Sequence, residues 1–204
     1  MNRLWVFSLL FFAGCIFSTR TPEPPTTSSS FLWTPATTPD YLLQNLTGAL
    51  KALDASDYMR VFISSSDSTG SGTKTFTFNP SPDLDATSKA LFNGWTVQSE
   101  GAWVTELSTL LPANTQLTIL LSNENIDETS GTTASITASY AISLPTSAST
   151  GVIPGEVQGS FEMDLVYVTT QEGTKEWRIV SWNDFVPQSG AGPTWSDLKV
   201  KLSS

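Results

Sequence analysis

Apolar residues change period along this chain, and the change separates a helical first part from a stranded second part. From Thr38 onward they fall at helical spacing, with Leu42, Leu46, Ala49, Leu50 and Leu53 forming one stripe. Thr38 is placed to cap that helix, Pro39 fits its first position, and Asp40 suits the positive end of its dipole. Asp57 is placed to cap a further turn in which Tyr58, Val61 and Phe62 face inward. Ser64 to Thr75 (SSSDSTGSGTKT) is small and polar and reads as a mobile loop. Thr75 to Phe78 reads as a short strand with Phe76 and Phe78 on one face. A second amphipathic helix is predicted from about Ser99 to Leu111, burying Trp103, Leu107, Leu110 and Leu111.

After Pro112 the period becomes two. Leu117, Ile119 and Leu121 alternate in a first strand, and Ile136, Ala138, Tyr140, Ile142 and Leu144 in a second. Phe161, Met163, Leu165 and Tyr167 alternate in a third, and Lys175 to Val186 makes a fourth. Gln171-Glu172-Gly173, with Gly173 left-handed, is a common hairpin loop. It pairs Tyr167 with Trp177 and Leu165 with Ile179. One face of the hairpin then carries Phe161, Met163, Leu165, Tyr167, Trp177 and Ile179, with polar Ser181 and Asn183 at its far end. The other carries Glu162, Asp164, Val166, Val168, Arg178, Val180, Trp182 and Asp184. A slip by one residue would put Trp177 on the face of Asp164 and break the apolar set. Helices first and long antiparallel strands after them indicate an α+β fold, with N-terminal helices packed on a curved antiparallel sheet.

The N-terminus has a different character. Arg3 precedes an apolar run of ten residues, Leu4 to Ala13. That length fits the core of a signal peptide, whereas a spanning helix needs about 20 apolar residues. The run ends in Phe12-Ala13-Gly14-Cys15, which resembles a lipobox. The resemblance implies a signal peptide over 1–14, cleavage between Gly14 and Cys15, and acylation of Cys15, which anchors the protein in a lipid bilayer. Phe12 departs from the aliphatic residue usual at that place. Ile16 is not the aspartate associated with inner-membrane retention, so the expected address is the periplasmic side of the outer membrane. Residues 15–37 follow as a Ser/Thr/Pro-rich tether, and 38–204 form a single domain. Phe31-Leu32-Trp33 interrupts the tether and reads as packing against the domain, or as a docking motif for a partner.

Composition narrows the chemistry. Cys15 is the sole cysteine, so no internal disulfide, four-cysteine zinc site or redox thiol pair is available. There is no histidine, which excludes Ser-His-Asp and Cys-His catalysis and removes the commonest metal ligand. The net charge is −9 and no cluster of Lys and Arg is present, so a nucleic-acid partner is not expected. An acidic body is also repelled by anionic lipid, which leaves anchoring to the acyl chains. No phosphate-binding glycine loop or metal-ligand cluster is visible, and no cofactor is expected. Asn123 to Glu128 is acidic but lacks the glycine and spacing of a calcium loop, and reads as a solvated hairpin. Asn45-Leu46-Thr47 fits a glycosylation pattern but falls on a predicted helix.

The order of elements resembles the nuclear transport factor two-like (ketosteroid-isomerase-like) superfamily. The residues that carry the resemblance are Thr38-Pro39-Asp40, Leu53-Asp54-Ala55-Ser56-Asp57-Tyr58, and the strand Trp177-Arg178-Ile179-Val180-Ser181-Trp182-Asn183-Asp184. Pro193-Thr194-Trp195-Ser196-Asp197-Leu198-Lys199 is similar to the segment after that strand in a poorly characterised group of exported lipoproteins. The resemblance implies a cone-shaped (cystatin-like) domain with a pocket between sheet and helices. Tyr58, Trp95, Trp103, Tyr140, Ser181 and Asn183 are candidates to line that pocket, although aromatic residues at these periods more often fill a core. Asp164 and Asp184 fall on the opposite face in the predicted register, so no catalytic residue is assigned. Dehydratases of the superfamily rely on histidine, which this chain lacks. Val166, Val168, Val180 and Trp182 beside Arg178 make a half-apolar outer face, read as a homodimer interface or as covered by the C-terminal segment. Three functions stay open. They are a tethered binding module for a small apolar ligand or a protein, a ketosteroid-isomerase-like acid–base enzyme for a small apolar substrate, and a structural subunit of an envelope complex. A carboxylate of raised pKa in an open pocket would favour the enzyme. A filled cone with an exposed apolar patch would favour interaction.

Overall fold

The computed structural model describes residues 31–203 except 71, 73, 114, 146–152, 189 and 191. Gly14 and Cys15, with the signal and most of the tether, therefore lie outside the described residues.

Helix α1 (Pro39–Ala52) starts where the sequence places it, the Thr38 side chain accepting from the Tyr41 amide. It buries Leu42, Leu43, Leu46, Ala49 and Leu50, and ends at Leu53 in the left-handed conformation (φ 56°). Helix α2 (Ala55–Arg60) is capped by Asp54, whose carboxylate accepts from the Asp57 amide; Asp57 is one turn inside rather than at the cap. Strand β1 (Thr77–Asn79) and the short α3 (Ala86–Ala90) lead to α4 (Val97–Leu110), which starts two residues earlier than the apolar stripe alone indicates. Thr96 and Ser99 close a capping box there, and this sets the start. Among the described residues no helix is long and apolar enough to cross a membrane.

Strands β2 (Thr118–Ser130), β3 (Thr133–Ser143), β4 (Glu156–Thr169) and β5 (Lys175–Phe185) follow. The five strands form one sheet in the order β1-β5-β4-β3-β2, antiparallel except where β1 runs parallel to β5. The fold is α+β, with helices on one face of a curved, unclosed sheet. Asn123 to Glu128 belongs to β2 itself; the reversal comes later, at Gly131-Thr132, between the paired Ser130 and Thr133.

The β4–β5 hairpin keeps the predicted register next to its turn, where Gly173 is left-handed (φ 81°), Tyr167 faces Trp177 and Leu165 faces Ile179. Beyond that the prediction fails. Asp164 pairs with Ser181, not with Val180, so Val180 is an extra residue in β5 and a bulge. The bulge reverses the alternation over the rest of the strand. Trp182 and Asp184 turn into the core, 0% and 1% exposed, while Ser181 and Asn183 turn outward.

The polar loop after α2 is also more structured than its composition indicates. Ile63 donates to Ile179 on the free edge of β5, and Ser68 exchanges two backbone bonds with Thr169 of β4. The chain between them therefore crosses the hairpin, bringing Asp67 to Arg178 (3.9 Å) over Val166 and Val168, both buried. The outer apolar face predicted for these residues is thus covered by the protein's own loop, and Trp182 is not part of it. Phe31 and Trp33 pack against the core, and the Ala36 carbonyl accepts from the Trp177 amide at 2.7 Å.

The segment after β5 forms helix α5 (Trp195–Leu202). A capping box between Thr194 and Asp197 starts it, and Trp195, Leu198, Lys199 and Leu202 recur at helical spacing and are buried. The segment covers the core between α4 and the sheet, not the outer face.

Candidate functional site

Two carboxylates sit inside the cone, and α5 closes over both. Glu100 stands one turn into α4 with no solvent exposure. Its Oε1 accepts from Trp95 Nε1 at 2.8 Å and Lys199 Nζ at 2.6 Å; its Oε2 accepts from Trp103 Nε1 at 2.8 Å and the Tyr58 hydroxyl at 3.2 Å. Lys199 is equally buried, so the pair is a sealed salt bridge. Four aromatic rings surround the ammonium: Nζ lies 3.5 Å from the centre of Phe78, 4.6 Å from Trp182, and 5.8 Å from Trp95 and Trp103. Negative ring faces and a carboxylate together replace much of the hydration that the cation loses.

The second carboxylate, Asp184, is brought inward by the Val180 bulge. Its Oδ1 accepts from the Tyr140 hydroxyl at 2.7 Å, and its Oδ2 from the Ser196 amide at 2.8 Å and the Ser196 hydroxyl at 2.5 Å. The Tyr140 hydroxyl in turn accepts from the Trp195 amide at 2.7 Å, and Ser196 Oγ from the Ser81 amide at 2.9 Å. The first turn of α5 is thus held by the same network that satisfies Asp184. Tyr140 reaches Asp184 by lying across Gly159, its partner on β4, where any Cβ would meet the phenol and the Phe185 carbonyl.

Burial governs the protonation of these groups. Desolvation pushes the Asp184 carboxyl above the usual carboxylate range, against the hydrogen bonds from Ser196 and Tyr140 and the charge of Lys199. Desolvation lowers the Lys199 ammonium, and Glu100 opposes it. Both tyrosines are raised, Tyr58 by burial and then Glu100, Tyr140 by burial and then Asp184.

The candidate residues divide accordingly. Tyr58, Trp95 and Trp103 do come together, around Glu100, and Tyr140 stands by Asp184; all four are buried, and Tyr140 also borders a concavity beside Pro187 and Gln188. Ser181 and Asn183 do not line the interior, because the bulge turns them out; Asn183 accepts there from Asn79 at 2.7 Å. Asp184, set on the opposite face by the predicted register, is instead turned inward by the bulge; Glu100, Ser196 and Lys199 were not singled out from the sequence. Lys199 had a legible signal, since it falls on the apolar stripe of α5.

Three buried donors where α5 meets the core, one of them on α5 itself, have no hydrogen-bond partner among the described residues: Trp182 Nε1, Ser81 Oγ and Trp195 Nε1. Concave surface exists elsewhere. Leu120, Ser139, Tyr140, Gln158 and Gly159, with Pro187 and Gln188, border a concavity of about 860 Å³. A smaller one of about 360 Å³ lies between α2 and the β4–β5 turn, beside Arg60, Asp67 and Arg178.

No family model matches the chain, and no curated protein matches it. Solved structures similar in outline include an NTF-2-like protein of unknown function from Shewanella oneidensis MR-1, at 10% identity and a TM-score of 0.43, covering 71% of this chain and 93% of that one. A protein of unknown function from Mycobacterium tuberculosis has 14% identity and a TM-score of 0.45, covering 71% of each chain. A domain of unknown function with a cystatin-like fold from Nostoc punctiforme has 10% identity and a TM-score of 0.43, covering 71% of this chain and 72% of that one.

Proposed function

We propose that the protein is a lipid-anchored, extracytoplasmic binding module whose interior its own C-terminal helix holds shut. The anchor rests on the lipobox-like Phe12-Ala13-Gly14-Cys15. Cys15 carries the acyl chains, and the tether sets the domain away from the bilayer, on the periplasmic side of the outer membrane. Intact-mass spectrometry of the chain expressed in a bacterium tests this part. The expected product lacks residues 1–14 and carries acyl mass on Cys15, and Cys15→Ala accumulates unprocessed. Cleavage elsewhere, or an unmodified cysteine, removes the anchor.

The observation that carries the binding reading is the closure itself. α5 meets the core through charged and polar anchors, Lys199 on Glu100 and Ser196 on Asp184, yet leaves Trp182 Nε1, Trp195 Nε1 and Ser81 Oγ unmatched. A segment selected purely as core would fill the same space with apolar side chains and leave fewer polar atoms unmet. The raised Asp184 carboxyl is the feature that favours an acid–base enzyme. It is 1% exposed with its donors in place, so a substrate reaches it no more easily than a ligand reaches the interior.

Hydrogen exchange on the wild-type chain in detergent micelles tests the closure. The Trp195 to Leu198 amides are expected to open at a lower free energy than those at the centre of β4 and β5. If α5 exchanges only with global unfolding, the interior is a permanent core and the module has no internal site.

A further inference from the structure

We infer that the chamber under α5 is a binding site for a primary alkylammonium group, and that Lys199 fills it in cis. The inference rests on the closed-module reading above and adds the ligand's chemistry. Glu100, Phe78, Trp95, Trp103 and Trp182 belong to α4, its lead-in, β1 and β5, and Lys199 alone comes from α5. Without Lys199 the other five present a carboxylate at the base of an aromatic enclosure, the chemistry that recognises organic cations. The 2.6 Å bond from Nζ to Glu100 Oε1 requires an N–H on the cation, so a primary ammonium fits and a quaternary one does not. Trp95 and Trp103 already donate to Glu100 from the sides, which orients the carboxylate independently of the cation.

Two features make α5 a replaceable occupant. It is short, at eight residues, and the chain leading to it carries left-handed glycines at Gly190 (φ 74°) and Gly192 (φ 119°). The unmatched indoles of Trp182 and Trp195 and the Ser81 hydroxyl lie buried in the residues that α5 brings together. Trp195 leaves with α5, but Trp182 Nε1 and Ser81 Oγ stay behind, as donors that a ligand bearing an acceptor group would meet and that α5 does not. The ligand class is therefore a small primary amine, with an acceptor group carried beyond its alkyl chain.

Chemical complementation tests the assignment. Lys199→Ala removes three methylenes and the ammonium, which n-propylammonium replaces atom for atom. The full-length Lys199→Ala chain is expected to melt lower than wild type and to recover saturably with n-propylammonium chloride. n-Propanol, tetramethylammonium chloride and sodium chloride at equal concentration are expected to leave it unchanged. Adding Glu100→Gln to the variant is expected to abolish the recovery. Equal recovery with n-propanol, or recovery that survives Glu100→Gln, overturns the site. If Lys199→Ala does not fold, hydrogen exchange on the wild-type chain decides. n-Propylammonium is expected to speed exchange at Trp195 to Leu198 while β4 is unaffected, and n-propanol is expected to do neither. An α5 that opens without added amine but ignores n-propylammonium sinks the ammonium assignment alone. An α5 that never opens below global unfolding sinks the closed-module reading itself.

Discussion

Single residues decide whether the interior network closes, and Gly159 shows this most directly. It is not left-handed, and its need for glycine is spatial: the Tyr140 phenol passes over it to reach Asp184 and accept from Trp195. Gly159→Ala would press a methyl group on that oxygen and on the Phe185 carbonyl, displacing Tyr140 and stranding a buried carboxylate's partner. The expected cost is about 2–4 kcal/mol, from overpacking together with a lost buried hydrogen bond. Gly155, whose Cβ would meet nothing within 4 Å, is the control, and Gly155→Ala is expected to change little. Urea denaturation of the two variants checks this; equal midpoints would mean that Tyr140 can leave its place freely. None of it was readable beforehand. A glycine within an alternating strand signals a close approach, but which side chain approaches depends on pairing across β3 and β4.

At the scale of elements, what could be read followed from local periodicity, and what could not was long-range. The stripe of α1, the Thr38 cap and the register of the β4–β5 hairpin at its turn depend on near neighbours, and all stand in the structure. The bulge at Val180 does not. In sequence, Trp177 to Asp184 alternates well enough to be read straight through, giving Trp182 and Asp184 the outer face. The structure spends one residue at Val180, after which Trp182 packs among Phe62, Phe78, Phe161 and Trp195. The edge partner of β5 changes at the same place, from the chain at Phe62 to β1 at Ser181, so the bulge joins two separate pairings. Ser64 to Thr69 was similarly misleading. Its composition is that of a free loop, yet its ends are fixed on opposite edges of the hairpin and Asp67 reaches Arg178. The site followed the same rule. Its aromatic members announced themselves by type, whereas Glu100 gave no signal of its own and Asp184 was sent to the outer face by a register read straight through Val180.

For the molecule as a whole, the balance of charge inside the cone sets how stability must respond to pH. With Glu100, Asp184 and Lys199 all ionised, the sealed interior would hold one excess negative charge in a body whose net charge is already −9. Retaining a proton on Asp184 removes that excess, in keeping with its raised pKa, which burial causes. Its ordinary value is 3.8, so above about pH 4 the unfolded chain releases this proton while the folded chain keeps it. The folded state then binds more protons, and Asp184's contribution to stability falls as pH rises through its folded pKa. Lys199 acts in the opposite sense at the alkaline end. Its lowered pKa means the unfolded chain binds more protons between the folded value and 10.5, so stability rises with pH there. Asp184→Asn isolates the acid limb, since the amide carries no titrating proton. The stability of wild type minus that of Asp184→Asn, from urea midpoints from pH 4 upward, is expected to decrease as pH rises and to level off once the folded carboxyl has ionised. A difference that grows instead would mean that the Tyr140 and Ser196 bonds outweigh burial, that Asp184 is ionised in the closed state, and that the interior carries its extra charge uncompensated.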